Sequence, residues 1–460
     1  MADIAGRPQW ELQFDEKGKV TGGTTVADLV AGVAARGVTD LFVFSHGWNE
    51  DEDSARRMYA RMFPLIASAT AGVPAIKAGA GYLGLFWPSV WFADEDAAPA
   101  GAGGRSDAQS SRRGPGPPPL GAATATMSGA DLASAVQSAY PAPARATLRR
   151  LGKLIDQGEA GVRTHEPEAK QQARLDEFVK LMPKLAAAAA VGEEDRGEAA
   201  VVTPPPDRGA RNSYVLLSDT MGGLPRGGDA EGLGDVFRDV WHGAKEAVRV
   251  ASFFQMKARA GTVGAKGLAP LLTALRSGAP AARVHLMGHS FGARLVSFSL
   301  SALGAGTSPV RSLTLIQAAF SHWSFAKEQP WGHPGALAGF ADRVQGPLVA
   351  TFSSQDRAVG EWYPSASVLN QQDNQAASDF TRRWGGLGAD GFQKLPSADK
   401  AVPMGKVGTD YGLARGGFRS IDGSKVIAKI QSAFAGAHSD ILHPEVAWAV
   451  VAAAEAGAPA

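Results

Sequence analysis

Ser290 lies in the sequence context that best fits a reactive side chain in this chain. Residues 288–292 read Gly-His-Ser-Phe-Gly, with an apolar run at 284–287 just before them and a helical pattern through Leu295 and Val296 just after. A serine on a sharp strand-to-helix turn is held in a strained conformation that exposes its Oγ, and small residues on either side let the turn close. The pattern predicts a nucleophile for acyl transfer; the alternative is an ordinary glycine-rich turn.

A second turn carries groups that would stabilise such chemistry. Residues 41–44 form a continuous apolar run, as expected of a strand buried on both faces, and 45–49 read Ser-His-Gly-Trp-Asn. Acyl transfer needs two backbone N–H donors aimed at the developing oxyanion, one after the nucleophile and one after an earlier strand. We predict the N–H groups of Phe291 and Trp48 in this oxyanion hole, with Gly47 letting the backbone approach the substrate. The alternative is a turn with a packed tryptophan.

The two motifs, in this order, resemble those of the α/β-hydrolase superfamily. Residues 86–89, Phe-Trp-Pro-Ser, follow the next predicted strand and make the chain similar to a bacterial branch described only as predicted serine esterases. The resemblance covers roughly residues 9–94 and 250–454. It implies an α/β-hydrolase fold, with a mostly parallel central sheet flanked by helices and a helical insertion that the superfamily does not share. It implies no particular substrate.

The resemblance also implies a histidine base for Ser290. In this fold the nucleophile, the acid and the histidine follow one another along the chain, which leaves His322, His333, His438 and His443 as candidates. His438 lies in a polar loop before the last predicted helix, where the superfamily places its base. His443 directly precedes a proline and fits the start of that helix. We predict His438 as the base and keep His443 as the alternative.

The acid of the triad is expected after a late strand. Residues 348–352 are predicted as such a strand, and Asp356 lies in the loop that follows. Its role would be to hold the imidazole in one tautomer and to stabilise the imidazolium, and Arg357 could keep it ionised. Asp440 is the rival, although its position two residues from His438 is more typical of a local loop contact.

These residues predict a serine hydrolase that forms an acyl-enzyme on a small-molecule ester. Carboxylesterase or lipase-like action is favoured, but a thioesterase, a peptidase or an acyltransferase would use the same side chains. A different class is a catalytically silent scaffold whose insertion binds a protein partner. The presence of all triad residues argues against that class, because a silent scaffold has no chemical reason to keep them.

Three parts of the chain are expected to position these residues. Alternating apolar runs and helical patterns predict that residues 1–95 and 211–460 form the N-terminal and C-terminal parts of the α/β core, including a strand at 214–217. Residues 96–210 are predicted to be a helical insertion with flexible, Pro/Gly-rich linkers. It is expected to act as a mobile lid or a partner-binding element, with a spacer as the alternative.

Tryptophans are expected at the ends of several predicted strands. Trp48, Trp87, Trp323 and Trp362 each follow such a strand. Because the carboxyl ends of parallel strands converge on one edge of a sheet, the four rings could form an apolar wall for an acyl group. Simple packing between strands and helices is the alternative for each of them.

Composition limits the remaining classes of function. The chain has 460 residues, 46 Lys+Arg against 45 Asp+Glu, and no cysteine. The balanced charge predicts no nucleic-acid partner, and the missing cysteines exclude disulfides and thiolate chemistry. No cluster at metal-ligand spacing occurs, so no metal or organic cofactor is expected. No apolar stretch approaches the ~18 residues of a membrane span, and no secretory signal is recognisable, so a cytoplasmic location is expected.

Overall fold

The computed structural model has one β-sheet at its centre. It describes residues 3–48, 52–89, 127–186, 209–220, 233–304, 308–329, 334–362, 385–395, 400–431 and 435–458. Within these ranges the sheet has ten strands: β1 (Asp3–Ile4), β2 (Arg7–Phe14), β3 (Val20–Gly23), β4 (Asp40–Ser45), β5 (Ala80–Phe86), β6 (Arg283–His289), β7 (Val310–Ile316), β8 (Leu348–Phe352), β9 (Val402–Pro403) and β10 (Phe418–Asp422).

Most neighbouring strands are parallel, in the order β2–β5–β4–β6–β7–β8–β10–β9. The short strands β1 and β3 pair antiparallel with β2. Central strands are rich in apolar residues because both faces of the sheet are covered, and β4 is buried at every position. Its side chains alternate, so Leu41 and Val43 join the core on one face and Phe42 and Phe44 the core on the other.

Helices cover both faces of this sheet. They are α1 (Val26–Ala35), α2 (Glu52–Ala69), α3 (Pro74–Gly79), α4 (Gly129–Val136), α5 (Ala142–Arg163), α6 (Glu168–Ala186), α7 (Ala210–Thr220), α8 (Leu233–Val263), α9 (Ala269–Gly278), α10 (Phe291–Ser299), α11 (Leu387–Asp390) and α12 (Pro444–Ala456). Short 3₁₀ segments are Thr70–Gly72, Gln137–Ala139, Leu300–Ala302 and Ala341–Arg343, and π segments are Gly264–Leu268 and Ala358–Trp362. Helices α2 and α12 lie on one face, and α1, α9 and α10 on the other. The chain is therefore of the predicted α/β class, with a mostly parallel sheet flanked by helices.

The direction of strand addition reverses between β4 and β6. The chain passes from β4 to β5 toward one edge of the sheet, but from β6 through β7 to β8 toward the other. Strands β4 and β6 are neighbours, with Ser45 beside Gly288 at their carboxyl ends. In parallel α/β sheets the loops that leave two such strands separate to opposite sides and open a crevice where ligands bind.

Helices α4 to α7 lie outside the sheet and share a core with the long helix α8. Leu151 of α5 and Phe178 of α6 belong to the same buried cluster that covers one face of the sheet. Arg259 of α8 links these parts, because its guanidinium donates to the carbonyl oxygens of Pro88 and Ala139, both at 2.8 Å. The helical packing thus continues past residue 210 into α7 and α8.

The strand predicted at residues 214–217 is wrong, because this segment lies within helix α7. Tyr214 and Leu217 are both buried in the core that α7 shares with α8. Their spacing of three fits one face of a helix. A run of four apolar residues is too short to distinguish that spacing from a buried strand.

A membrane-spanning helix has to be long and apolar, and the described helices differ from that pattern. None of them combines the length and the apolar character needed to cross a membrane.

Candidate active site

Ser290 lies on the turn between β6 and α10, as the sequence predicts. Its backbone has φ 55° and ψ −122°, and the helix begins at the next residue. Positive φ is uncommon for a residue with a side chain and marks local strain. The strand β7 supports the turn, because the Ser290 N–H donates to the Ile316 carbonyl (3.1 Å) and its carbonyl accepts from the Ala319 N–H (3.3 Å).

The glycines on either side of Ser290 allow backbones to approach closely. A Cβ on Gly288 would lie 2.4 Å from backbone atoms of Gly292, and a Cβ on Gly292 would lie 2.1 Å from the carbonyl oxygen of Ser45. Both distances are shorter than any real Cβ contact. The turn therefore needs glycine at both positions to pack against the end of β4.

The loop after β4 lies directly against the serine. A Cβ on Gly47 would be 2.7 Å from the Cβ of Ser290. Phe291 is the first residue of α10, so its N–H has no acceptor within the helix. The ring of Trp48 packs beside that of Phe291, with centroids 6.0 Å apart. Both backbone segments predicted to donate to an oxyanion thus lie next to Ser290.

His46 fixes the orientation of one of these segments. The Trp87 N–H donates to His46 Nε2 at 3.3 Å, so the ring proton is on Nδ1, which lies 2.9 Å from the Gly47 carbonyl oxygen. Burial lowers the pKa of His46 to about 4, which keeps this ring neutral. Because the peptide unit is planar and trans, holding the Gly47 carbonyl toward His46 turns the Trp48 N–H away from it.

His438 and Asp356 form a buried pair. His438 Nδ1 lies 2.7 Å from Asp356 Oδ2, and the aspartate side chain is fully buried. The two segments also pair through their backbones, because Asp356 forms an antiparallel bridge with Gly436 and the Ala437 N–H donates to the Gln355 carbonyl (2.9 Å). The structure thus joins two residues that the sequence places 82 positions apart.

Two further N–H groups donate to the Asp356 carboxylate. The Val359 N–H binds Oδ1 at 2.9 Å, and the side-chain amide of Gln317 binds Oδ2, also at 2.9 Å. A carboxylate that receives donors on both oxygens is suited to the ionised state, which only accepts hydrogen bonds. It therefore accepts a hydrogen bond from the Nδ1–H of a neutral His438 and leaves Nε2 as the basic nitrogen. Sequence reasoning missed Gln317.

His289 brings the His438 segment next to the nucleophile. Its Nε2 lies 3.0 Å from the carbonyl oxygen of His438, and the two rings are 4.8 Å apart. Because a carbonyl only accepts, Nε2 carries the proton of this ring. Burial lowers the pKa of His289 to about 3, so it remains neutral. Since His289 directly precedes Ser290, this bond ties the segment of the predicted base to the residue before the predicted nucleophile.

The rival acid and the rival base lie together elsewhere in the same loop. Asp440 accepts from the backbone N–H groups of Ala428 (3.0 Å) and Lys429 (2.8 Å). His443 Nε2 is 3.0 Å from the other oxygen of Asp440, and His443 immediately precedes α12. Asp440 therefore holds the loop together, and Asp356 is the carboxylate bonded to the His438 ring.

The remaining candidate histidines are not brought to this pair by any described contact. His322 lies after β7, where its Nδ1 is 2.8 Å from both oxygens of Asp390. His333 lies outside the described residues. The described residues also contain no group of three or more histidine or carboxylate side chains that could hold a metal ion.

The predicted wall of four tryptophans is not formed by the described side chains. Trp87 and Trp323 are only 4% and 6% exposed and pack in the interior. Trp87 stacks on His46 at 5.5 Å. Trp48 is partly exposed at the oxyanion loop, and the side chain of Trp362 lies outside the described part of the structure.

Comparison of the chain with protein families, curated proteins and solved structures finds no match. Its function is therefore inferred from the geometry of these side chains.

Proposed function

We propose that this protein is a serine hydrolase with an α/β-hydrolase fold, in which Ser290, His438 and Asp356 act on an ester-like acyl substrate. The observation that carries the proposal is the buried His438–Asp356 pair, 2.7 Å apart, which packs beside the strained turn of Ser290. A local contact does not account for such a pair, because its members come from distant parts of the chain. A base held by a buried acid next to a serine is the arrangement that activates a hydroxyl.

The arrangement of strands supports the same fold. Residues 46–48 follow β4, Ser290 follows β6, Asp356 follows β8, and His438 comes after β10. The carboxyl ends of parallel strands face one edge of the sheet, which supports a single site formed by these residues near the point where the strand order reverses. The order nucleophile, acid, histidine, with one oxyanion donor from an earlier strand, is that of α/β-hydrolases.

The reaction would proceed in two acyl-transfer steps. His438 Nε2 takes the Oγ proton as Ser290 attacks the carbonyl carbon, and the Asp356 carboxylate stabilises the imidazolium without taking its proton. The imidazolium then protonates the leaving alcohol, which departs as the acyl-enzyme forms. A water molecule, deprotonated by His438, attacks the acyl-enzyme and releases the acid and the free serine.

Two backbone N–H groups would stabilise the oxyanion in both steps. The N–H groups of Phe291 and Trp48 belong to segments that lie against Ser290. The hydrogen bond from His46 Nδ1 to the Gly47 carbonyl oxygen holds the segment of Trp48. Donors that are already oriented need no reorganisation when charge develops on the carbonyl oxygen. Removing one such donor from a protease lowers kcat by about 10²–10³-fold.

The aromatic surroundings favour an apolar acyl group. The partly exposed ring of Trp48 packs beside the rings of Phe253 in α8 and Phe291, with centroids 5.5 and 6.0 Å apart. The oxyanion loop therefore has an apolar surface on one side. Carboxylesterase or lipase-like action is the favoured form. A thioester, a peptide bond or transfer to an alcohol would use the same steps with another leaving group or acceptor.

Turnover of p-nitrophenyl esters across a range of acyl lengths tests the proposal. Ser290→Ala should abolish hydrolysis without changing the thermal midpoint, since nucleophile removal in a serine protease costs about 10⁶-fold in kcat. Ser297→Ala is the matched control, because Ser297 is a buried serine on the helix that follows Ser290, and its Oγ has no hydrogen-bond partner among the described residues. It should keep wild-type turnover. Wild-type turnover in Ser290→Ala would contradict the proposal, and a folded wild type that hydrolyses none of the esters would favour a silent scaffold.

A further inference from the structure

Gln317 has an unusual backbone conformation beside the proposed triad. It directly follows β7, its φ is 46°, and it is fully buried. A non-glycine residue with positive φ in the interior costs free energy, so the surrounding structure has to hold it there. Such residues concentrate at functional sites. The conformation therefore indicates a specific role for the Gln317 side chain.

Every polar group of the Gln317 side chain has a partner. Its amide nitrogen donates to Asp356 Oδ2 (2.9 Å) and to the Gly388 carbonyl (3.1 Å), and both partners are acceptors, which fixes the orientation of the amide. Its amide oxygen accepts from the Thr351 hydroxyl (3.3 Å), which in turn accepts from the Gln317 N–H (3.4 Å). The amide is thus locked with one N–H on the carboxylate.

We propose that Gln317 is a positioning residue that orients Asp356 and limits how strongly this carboxylate holds the protonated His438. The inference rests on the proposed function. Its basis is that the Gln317 amide and His438 Nδ1 donate to the same oxygen, Oδ2, at 2.9 and 2.7 Å. Two donors on one oxygen share its negative charge, so each weakens the attraction of the other.

Removing the amide donor should therefore strengthen the bond between Asp356 and the imidazolium. The protonated form of His438 would then persist to higher pH, and the ascending limb of the activity profile would move upward. The other titratable groups near His438 stay the same in such a variant. They include neutral His289 against its ring, Asp440 on its own segment, which is bound by the loop at 428–429, and Arg357, which follows Asp356 and packs against Gly436.

Three variants separate this role from packing. Gln317→Met keeps the length of the side chain but has no donor, and Gln317→Glu keeps the shape but adds a second carboxylate. Thr351→Val is the matched control, because it removes another partner of Gln317 and keeps the amide donor to Asp356. The rate of Ser290 labelling by a fluorophosphonate would be measured for each variant between pH 5 and 9, together with its thermal midpoint.

We expect the limb to move upward by about half a pH unit in Gln317→Met and by about one unit or more in Gln317→Glu, because a second negative charge beside Asp356 further favours the protonated form of His438. Thr351→Val should lower the thermal midpoint but leave the pH of the ascending limb unchanged. Unmoved limbs in both Gln317 variants would overturn the inference and leave a packing role. If Gln317→Met fails to fold, Gln317→Glu decides alone. A wild type that is not labelled at Ser290 would overturn the proposed function itself.

Discussion

At the scale of single residues, Asp356 and Asp440 differ in what they bind. The Asp356 carboxylate receives a ring nitrogen, a side-chain amide and a backbone N–H, whereas Asp440 receives backbone N–H groups of its own loop. Of the two carboxylates, Asp356 is therefore the one that binds the ring of His438. The two acids therefore offer a direct comparison between orienting a base and holding a loop.

Asp356→Asn should lower kcat by orders of magnitude, and Asp440→Asn by much less. Asparagine presents an amide N–H to His438 Nδ1, which favours the wrong tautomer, and the equivalent change in a serine protease costs about 10⁴-fold. Steady-state hydrolysis of an activated ester measures both variants. A larger loss in Asp440→Asn than in Asp356→Asn would move the acid to Asp440.

Motifs made part of this site predictable from the sequence. Ser290 is recognisable because its turn needs nearby glycines, and His438 and Asp356 follow from the order of residues along the chain. Gln317 belongs to no motif, because its role depends on a contact 39 positions away. Its position directly after an apolar strand could have indicated it, because polar side chains at the carboxyl ends of parallel strands reach the same edge of the sheet.

At the scale of elements, the site depends on how closely the loop after β4 approaches the turn after β6. Gly47 has no room for a side chain, since a Cβ would lie 2.7 Å from the Ser290 Cβ and 3.1 Å from His289 Nδ1. One of these atoms is the first side-chain carbon of the serine itself. The loop would therefore have to move if residue 47 gained a methyl group.

Gly47→Ala should lower kcat by about 10²-fold or more with a small change in thermal midpoint, because a displaced loop loses its oxyanion donor. Gly72→Ala is the matched control, since a Cβ on Gly72 would meet nothing within 4 Å. It should keep wild-type kcat. Unchanged kcat in Gly47→Ala would show that the loop has no part in the reaction.

The predicted helical insertion packs against a helix that reaches the candidate site. Its amphipathic helices were predictable from their period, and Leu175, Phe178 and Met182 are buried. What the sequence did not reveal is that they share a core with α8. Phe253 of α8 packs 4.8 Å from Phe291, the residue after the proposed nucleophile. Long-range packing of this kind has no local sequence pattern.

At the scale of the whole molecule, three buried histidines whose pKa is lowered by burial, His46, His285 and His289, link stability to pH. Burial lowers the pKa of His46 to about 4 and that of His289 to about 3. An unfolded chain returns all three to about 6.5, so below that pH it binds more protons than the folded chain. Their stabilising contribution is complete above about pH 6.5 and is lost as the pH falls toward the folded-state pKa values.

The free energy of unfolding should therefore fall between pH 7 and pH 5, by up to roughly 1.4 kcal/mol per pH unit for each histidine. Urea unfolding at the two pH values measures this slope. His289→Gln should reduce the slope, whereas His165→Gln, at an exposed histidine, should leave it unchanged. Equal stability of the wild type at both pH values would contradict this explanation.

The α/β class follows from the sequence, but the order of the strands does not. Alternating apolar runs and helical periods indicate parallel strands with crossovers. The reversal between β4 and β6 depends on which faces pack together, which no single segment encodes. Strand β10 was not predicted at all, because Phe418–Asp422 reads Phe-Arg-Ser-Ile-Asp and lacks a continuous apolar run.

Covalent labelling with a fluorophosphonate, mapped by mass spectrometry, tests the central claim most directly. The probe reacts with a serine only when a base and oxyanion donors activate it, and the chain has many other serines that serve as internal controls. We expect a single adduct on the peptide that contains Ser290, absent from Ser290→Ala and from heat-denatured protein. No adduct on the folded wild type, or an adduct on another serine with Ser290 unmodified, would contradict the account.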